Sequence, residues 1–380
     1  MNDDALDIVI LGAGPVGMAL AVLLVKRGVA PGRIALIDAK ALADVIKDPR
    51  SIALSYGSEQ VLEQAGAWPL PATAIHSIHV SRRGQFGRTL MDRAEHRLPA
   101  LGYVTRYGEL VAALAAACSA VGIQAVRPAR AIDLAEDADG VKLSLDDGRT
   151  VRAAIAVQAE GGVFGQQTTR KVERDYQQSA VVARVAVSAP LAHRAFERFT
   201  DEGPLALLPQ DGPDGLQYAL VWCARPERAA QLLALDDSAF LSCLGEMFGA
   251  RLGRFTKVST RTSYPLGLNA DAATTARTVA IGNAAQTLHP VAGQGLNLGL
   301  RDAAVLARLL AVAATPAQLT AFTAARQPDR NLTIGITDTM ARIFAASGPL
   351  QALLGVGLSA IDTLAPARLI LAELMMYGRR

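Results

Sequence analysis

The chain begins its ordered pattern with Asp7-Ile8-Val9-Ile10-Leu11, then Gly12-Ala13-Gly14-Pro15-Val16-Gly17, then an Ala- and Leu-rich stretch over 18–27. Few folds accommodate that succession. A short apolar run suits a strand buried on both faces of a parallel sheet. The G-x-G-x-x-G turn allows a tight reversal at Gly12, close approach of a pyrophosphate at Gly14 and close helix–strand packing at Gly17. The helix that follows aims its free N–H groups and positive dipole end at the phosphates. A second strand, residues 33–38, ends in Asp38, about 20 residues past the last glycine, where an acidic side chain accepts from ribose hydroxyls. The pattern predicts a βαβ dinucleotide site formed by Gly12, Ala13, Gly14, Pro15, Val16, Gly17 and Asp38. It does not separate FAD from NAD.

The bulk numbers set limits on the rest. With 380 residues, 51% of them hydrophobic, the chain has material for a large core and about two domains. A formal net charge of +3, without basic blocks, argues against nucleic acid. Cys118, Cys223 and Cys243 are widely spaced and odd in number, so free thiols are expected rather than a metal or redox pair. Two uncharged stretches, 8–25 and 344–361, are interrupted by glycines and prolines and are not expected to span a membrane. His76, His79, His96 and His193 form no ligand set, and no metal is expected.

Further on, 108–122 reads as a helix and 141–145 with 150–157 as a hairpin around Asp146-Asp147-Gly148. Strands are expected at 181–187 and 217–222, with the turn cluster 210–215 between them. Residues 278–281 read as another buried strand, and a helix is expected from about Leu298 to Val312. Thr315-Pro316 begins a helical region, with breaks expected at Pro328, Pro349 and Pro366. The fold class is α/β: a Rossmann-like nucleotide-binding domain with an inserted sheet-containing domain and a C-terminal helical region. The expected division is 1–75, 100–165 and 266–330 for the first, 76–99 and 166–265 for the second, and 331–380 for the third.

A second glycine-rich segment, Ile281 to Gly299, is more informative. A strand ends at Gly282, and a loop containing Gly293 and Gly295 leads into a helix, leaving room for a flat ring against backbone. This segment, Gly282-Asn283-Ala284-Ala285-Gln286-Thr287-Leu288-His289-Pro290 with Gly293-Gln294-Gly295-Leu296-Asn297, resembles the class A flavoprotein monooxygenases of the para-hydroxybenzoate hydroxylase-like fold. Asp48-Pro49-Arg50-Ser51, Leu101-Gly102-Tyr103-Val104, Tyr264-Pro265-Leu266 and Leu298-Gly299-Leu300-Arg301-Asp302 narrow the resemblance to the ubiquinone-biosynthesis hydroxylases. Asn283 and Gln286, where the wider family has an acidic residue and a histidine, look like the 2-polyprenyl-6-methoxyphenol hydroxylase branch.

The resemblance implies an FAD-dependent enzyme that uses NADPH or NADH and O2 to hydroxylate a polyprenylated phenol through a flavin C4a-hydroperoxide. It places Asn283 at the ribityl chain, with Gly282 also binding the cofactor, Pro290 to Asn297 beside the isoalloxazine and Arg50 near it. Arg106 is expected either at the pyrophosphate or as a surface arginine at a helix start. No catalytic acid or base is assigned, because the cofactor carries the hard step. Glu160, in Ala159-Glu160-Gly161-Gly162, replaces the family's usual aspartate and puts the NADPH interaction in question. Alternatives are a hydroxylase of a soluble aromatic and a flavin-binding, non-catalytic subunit of a ubiquinone-biosynthesis complex. A cytoplasmic location is expected, with peripheral contact at the inner face of the membrane through 350–376 as a secondary reading. Ordinary packing of that region is the primary one.

Overall fold

A computed structural model describes residues 6–84, 88–160, 174–212, 215–268, 274–286 and 294–345. Pro349, Pro366 and the region 350–376 lie outside these residues. The nucleotide sheet has the strand order Ala125–Val126, Ile34–Ile37, Leu6–Leu11, Thr150–Gln158, Val141–Leu145, Ala131–Glu136. Thr278–Ala280 also pairs with Thr150–Gln158, in parallel, beside its last three residues. Five strands therefore run parallel, and the antiparallel hairpin of 141–145 with 150–158 extends the sheet.

The central strand explains the apolar run. Ile8, Val9 and Ile10 are fully buried. Ile8 and Ile10 face a core built with the helices Pro15–Lys26, Tyr56–Ala65, Tyr107–Ala120 and Gln294–Leu310. Val9 and Leu11 face the other core, closed by Val141, Leu143 and Leu145. Both sides of the strand are covered, so alternation disappears from its sequence. The expected helix at 108–122 is present as Tyr107–Ala120.

The inserted region forms an eight-stranded sheet ordered Phe255–Val258, Arg174–Val187, Gly215–Ala224, Pro204–Gly212, Arg194–Phe199, Ser77–Arg82, Arg88–Asp92, with Thr262–Leu268 added on Arg174–Val187. One face packs on the helices Pro226–Ala234 and Asp237–Phe248 through Trp222, Leu220, Phe196, Phe240 and Phe248. A small sheet, Ser51–Ser55, Gly102–Arg106 and Ala72–Ile75, lies between the two larger ones. It is tied to the insert where Ser51 Oγ donates to Gln210 Oε1 at 2.7 Å and Thr73 Oγ1 donates to Asp211 Oδ2 at 2.9 Å.

Three sequence expectations need correction. The turn at 210–215 joins Pro204–Gly212 to Gly215–Ala224, with Gly212 opposite Gly215, and two strands, 194–199 and 204–212, precede it. Pro209 hid the second of these, since proline reads as a strand breaker. It lies beyond the pairing with 194–199, which ends at Leu207, so the strand there has one neighbour. The helix expected from Leu298 starts at Gln294. Pro328 does not break its helix, which runs Pro316–Ala345.

The residues around Pro328 show what holds that helix through the proline. Arg326 Nε donates to Asp302 Oδ1 at 2.7 Å, and its Nη2 donates to Asp329 Oδ2 at 2.5 Å. Arg330 Nη2 donates to Asp302 Oδ2 at 2.9 Å, and Arg301 Nε reaches Asp329 Oδ2 at 3.3 Å. All five residues are buried. These ties pin both sides of the proline, where an interior proline costs roughly 3 kcal/mol. Three guanidiniums face two carboxylates, and Arg301 Nη1 and Nη2 have no partner. Burial depresses the Arg301 guanidinium. Asp302→Ala should therefore destabilise the fold by about 3–5 kcal/mol, because it strands two buried arginines. Arg301→Met should stay within about 1 kcal/mol of the native chain, since its outer donors are already unsatisfied. Denaturant unfolding monitored by circular dichroism checks both; equal losses would contradict the asymmetry.

Candidate active site

Five parallel strands release their chains at the same edge. Leu11 leads into Gly12, Ile37 into Asp38, Val126 into Arg127, Gln158 into Ala159-Glu160, and Ala280 into Ile281-Gly282. The crevice beyond the carboxyl ends of such strands is where α/β sheets bind ligands. Backbone bonds stitch these exits together: Gly12 N donates to Ile37 O at 2.7 Å, Ala159 N to Leu11 O at 2.7 Å, and Ile281 N to Gln158 O at 2.9 Å.

The first turn is shaped by contacts only glycine allows. Gly12 has φ of 101°, and a Cβ there would lie 2.6 Å from Ala159 and from the Glu160 nitrogen. A Cβ on Gly17 would sit 1.9 Å from the Gly12 oxygen. Gly14, by contrast, opens outward, with the Tyr107 hydroxyl as its nearest neighbour at 3.6 Å. Helix Pro15–Lys26 has no side-chain cap and no acidic residue in its first turn. The N–H groups of Val16 and Gly17 thus point out of the helix end without an intrahelical acceptor. Asp38 Oδ2 accepts from Ala13 N and Oδ1 from Lys40 N, both at 2.7 Å, so its carboxylate sits against the glycine turn.

Arg127 was not singled out by the sequence. Its Nη2 donates to Ala13 O at 2.8 Å, while Nη1 is buried and has no partner. No ion pair to a carboxylate is present for Arg127 among the described residues. Its strand, Ala125–Val126, is two residues long, too short to leave a pattern.

The second turn meets the first. Gly282 has φ of 60°, and a Cβ there would lie 3.3 Å from Val16. A Cβ on Gly299 would lie 2.7 Å from Val16 Cγ2 and 3.0 Å from Gly282 Cα. Asn283 Oδ1 would be 3.4 Å from a Cβ on Gly295, so the amide lies over the start of the helix Gln294–Leu310. Gly295, Leu296 and Asn297 belong to the first turn of that helix rather than to a loop. Asn297 is buried and its amide is engaged internally: Oδ1 accepts from Ser55 N at 2.9 Å and Ser58 Oγ at 2.7 Å, and Nδ2 donates to Ala53 O at 3.2 Å. It braces the helix rather than presenting a free amide. Gln286 is buried with its Nε2 unpartnered. Pro290 and Gly293 lie outside the described residues, as does His289.

Arg50 and Arg106 are cross-strand neighbours, because Ser51 pairs with Arg106. Tyr107 N donates to Arg50 O at 2.8 Å, which anchors the start of helix Tyr107–Ala120. Asp48 holds the Arg50 guanidinium through Nε at 2.9 Å and Nη2 at 2.6 Å. The guanidinium carbon is 5.1 Å from the Tyr107 ring centre and 5.9 Å from that of Tyr264, the second of these on the strand Thr262–Leu268 of the inserted sheet. Burial alone would lower the Arg50 pKa; the bond and charge of Asp48 outweigh it and leave it raised. Burial pushes the Tyr107 phenol up, so it remains a neutral hydroxyl. It pushes the Cys118 thiol up to about 12 and raises Cys223 as well, and all three cysteines are free. Among the described residues no group of His, Cys, Asp and Glu is placed to hold a metal.

These features fit an FAD: a cradle that a Cβ would fill, an uncapped helix end, and two buried, unpartnered donors at Arg127 and Gln286. A family model described as FAD binding domain matches residues 5–331. This chain belongs to that family, the class A flavin monooxygenases. It is an FAD-dependent monooxygenase, of a class that uses NAD(P)H and O2. It is 33% identical over 397 residues to the ubiquinone hydroxylase UbiL of Rhodospirillum rubrum, covering 96% of this chain and 88% of that protein. Over 321 residues it is 30% identical to the 3-demethoxyubiquinol 3-hydroxylase of Escherichia coli, covering 82% of this chain and 81% of that protein. Its fold matches PqsL of P. aeruginosa in complex with 2-aminobenzoylacetate, with a TM-score of 0.75 at 22% identity, over 93% of this chain and 100% of that one.

Asn297→Ala should leave the buried Ser55 N–H and Ser58 hydroxyl without their acceptor, at about 1–3 kcal/mol for each group. The expected result is a lower melting temperature of the flavin-free protein, measured calorimetrically. An unchanged melting temperature would show that the brace carries no stability.

Proposed function

We propose that this monooxygenase hydroxylates the aromatic ring of a polyprenylated phenol in ubiquinone biosynthesis, and that its branch is that of the 2-polyprenyl-6-methoxyphenol hydroxylases. The observation that carries the flavin half of this reading is the meeting of the two glycine turns at Val16, Gly282 and Gly299. The substrate half rests on the names of the relatives, which are ubiquinone-pathway hydroxylases. Bound FAD supplies electron transfer from NADPH or NADH and the activation of O2.

The residues divide the work by position. Val16 and Gly17 N–H groups and the Arg127 Nη1 bind the pyrophosphate. Asp38 accepts from a ribose hydroxyl. Asn283 hydrogen-bonds the ribityl chain, with an acceptor oxygen and two donors to offer. Arg106 stays beside Arg50 at the same strand end, open to the pyrophosphate. Arg50, held between Tyr107 and Tyr264, places a fixed cation where negative charge on the reduced flavin develops. The insert presents Ala180, Val182, Val221, Cys223 and Leu266 on the sheet face opposite its helices. This apolar wall excludes water and receives the ring and the start of the tail. Residues 1–75, 100–165 and 266–330 make the flavin-binding domain, 76–99 and 166–265 the substrate domain, and 331–380 a C-terminal helical region. Peripheral contact with a membrane and with other members of the pathway is part of the reading, as expected for a substrate with a long apolar tail. Among the described residues no helix is long and apolar enough to cross a membrane.

Two measurements test it. Purified flavin-loaded protein should oxidise NADPH faster and release a hydroxylated product with a short-chain prenylated phenol, but not with soluble hydroxybenzoates; activity with the soluble set alone overturns the substrate. Arg127→Met should weaken FAD binding by roughly tenfold or more, the value of a hydrogen bond to a charged group. Its binding of riboflavin, which lacks the pyrophosphate, should be unchanged, as read by flavin fluorescence; equal losses for both flavins would move Arg127 away from the pyrophosphate.

A further inference from the structure

The outer edge of the inserted sheet carries a concentration of positive charge that no role above uses. Strand register sets it. Arg198 lies opposite Ser81 and Ser81 opposite Arg88; Phe196 lies opposite His79 and His79 opposite Leu90; Arg194 lies opposite Ser77 and Ser77 opposite Asp92. Side chains alternate along a strand, so these nine share one face. The contacts agree: Arg194 Nε donates to Ser77 Oγ at 3.0 Å, and the His79 ring is 5.8 Å from Phe196.

Arg83 extends the same row past the strand end, and Arg251 enters from the turn Ala250–Leu252, its Nη1 3.4 Å from His79 Nδ1. Arg83, Arg88 and Arg251 are exposed, and Arg194 and Arg198 are half-buried. Among the described residues none of the five is in an ion pair with a carboxylate. The one acid on this face, Asp92, accepts from Ala94 N and caps a short turn.

The five charges act on one another. Burial and then the neighbouring Arg251 and Arg83 depress Arg198; burial and then Arg88 and Arg194 depress Arg251. Burial and then Arg251 lower His79 to about 4, so it adds no charge at neutral pH. Its Nε2 is buried and unpartnered. Other surface arginines are matched, Arg33 with Asp7, Arg149 with Asp147 and Arg152 with Asp137. At this edge they are not, and an apolar residue stands among them. Leu90, 36% exposed, alternates with Arg88 on the rim strand.

We propose that this arginine-lined edge docks the protein on an anionic phospholipid bilayer. Unpaired guanidiniums meet lipid phosphates, and Leu90 enters the headgroup layer beside them. Guanidinium binds phosphate in a two-pronged fork, and the attraction needs no sequence-specific partner. The inference names the face for the membrane contact proposed above and rests on that part of the reading. Its failure is separable from failure of the flavin assignment, because the test reads vesicle binding while flavin content is recorded independently.

The full-length, flavin-loaded chain is mixed with phosphatidylcholine vesicles, with or without 30% phosphatidylglycerol, and sedimented. Binding is expected with the anionic vesicles only, and it should fall as salt rises. Arg88→Glu with Arg251→Glu should reduce binding by roughly tenfold or more, since each charge near an anionic surface is worth about a fivefold change in partition. Lys142→Glu, a single charge reversal on the exposed hairpin of the other sheet, should leave binding as it was. If the double reversal lowers the melting temperature, Arg83→Gln with Arg88→Gln replaces it. Equal binding to neutral vesicles, retention of binding in both double variants, or release by inorganic phosphate at constant ionic strength would each overturn the proposal; the last would mark a soluble-anion site instead.

Discussion

The close contact of Val16, Gly282 and Gly299 is the constraint on which the rest of this molecule depends. It brings two segments more than 250 residues apart in the chain to within a methyl group of each other. Val16 belongs to the first turn of the helix Pro15–Lys26, Gly282 follows the strand Thr278–Ala280, and Gly299 lies in the helix Gln294–Leu310. No side chain fits between them. The spacing of the two turns is set by backbone meeting one valine.

Everything around that contact keeps it in place. Asn297 ties the helix start to Ala53, Ser55 and Ser58. Arg330 ties the far side of that helix, through Asp302, to the strand that delivers Gly282; its Nη2 also reaches Ala280 O at 3.4 Å. The buried cluster leaves one guanidinium in excess, a costly arrangement in an apolar interior. Such a cluster fixes orientation more than it adds stability. Arg50 is held in the same way, pinned by Asp48 and flanked by the Tyr107 and Tyr264 rings.

The parts of this arrangement that were legible in the sequence are those made by local rules. The strand, the glycine turn, the helix and Asp38 follow one another within forty residues, and each has its own chemical reason. The motif from Gly282 to Asn297 was legible through resemblance rather than through periodicity. What escaped was set by tertiary context. Arg127 matters because of what its guanidinium reaches, not because of its neighbours in sequence. Pro209 and Pro328 read as breaks, but one sits where its strand has a single partner and the other is clamped by buried ion pairs. Asn297 reads as a ligand contact, yet its amide is committed to the protein. The arginines on the rim of the insert come from four separate elements and show no run in the sequence.

The most direct test of the account is an FAD titration of the apoprotein, followed by quenching of flavin fluorescence, on the native chain and on Gly299→Leu. The account predicts saturation at about one FAD per native chain. It predicts binding weaker by about tenfold or more in the variant, which still unfolds cooperatively, in line with the roughly 1–3 kcal/mol cost of overpacking. A native chain that leaves flavin fluorescence unquenched, or a variant that binds as tightly as the native chain, would contradict it.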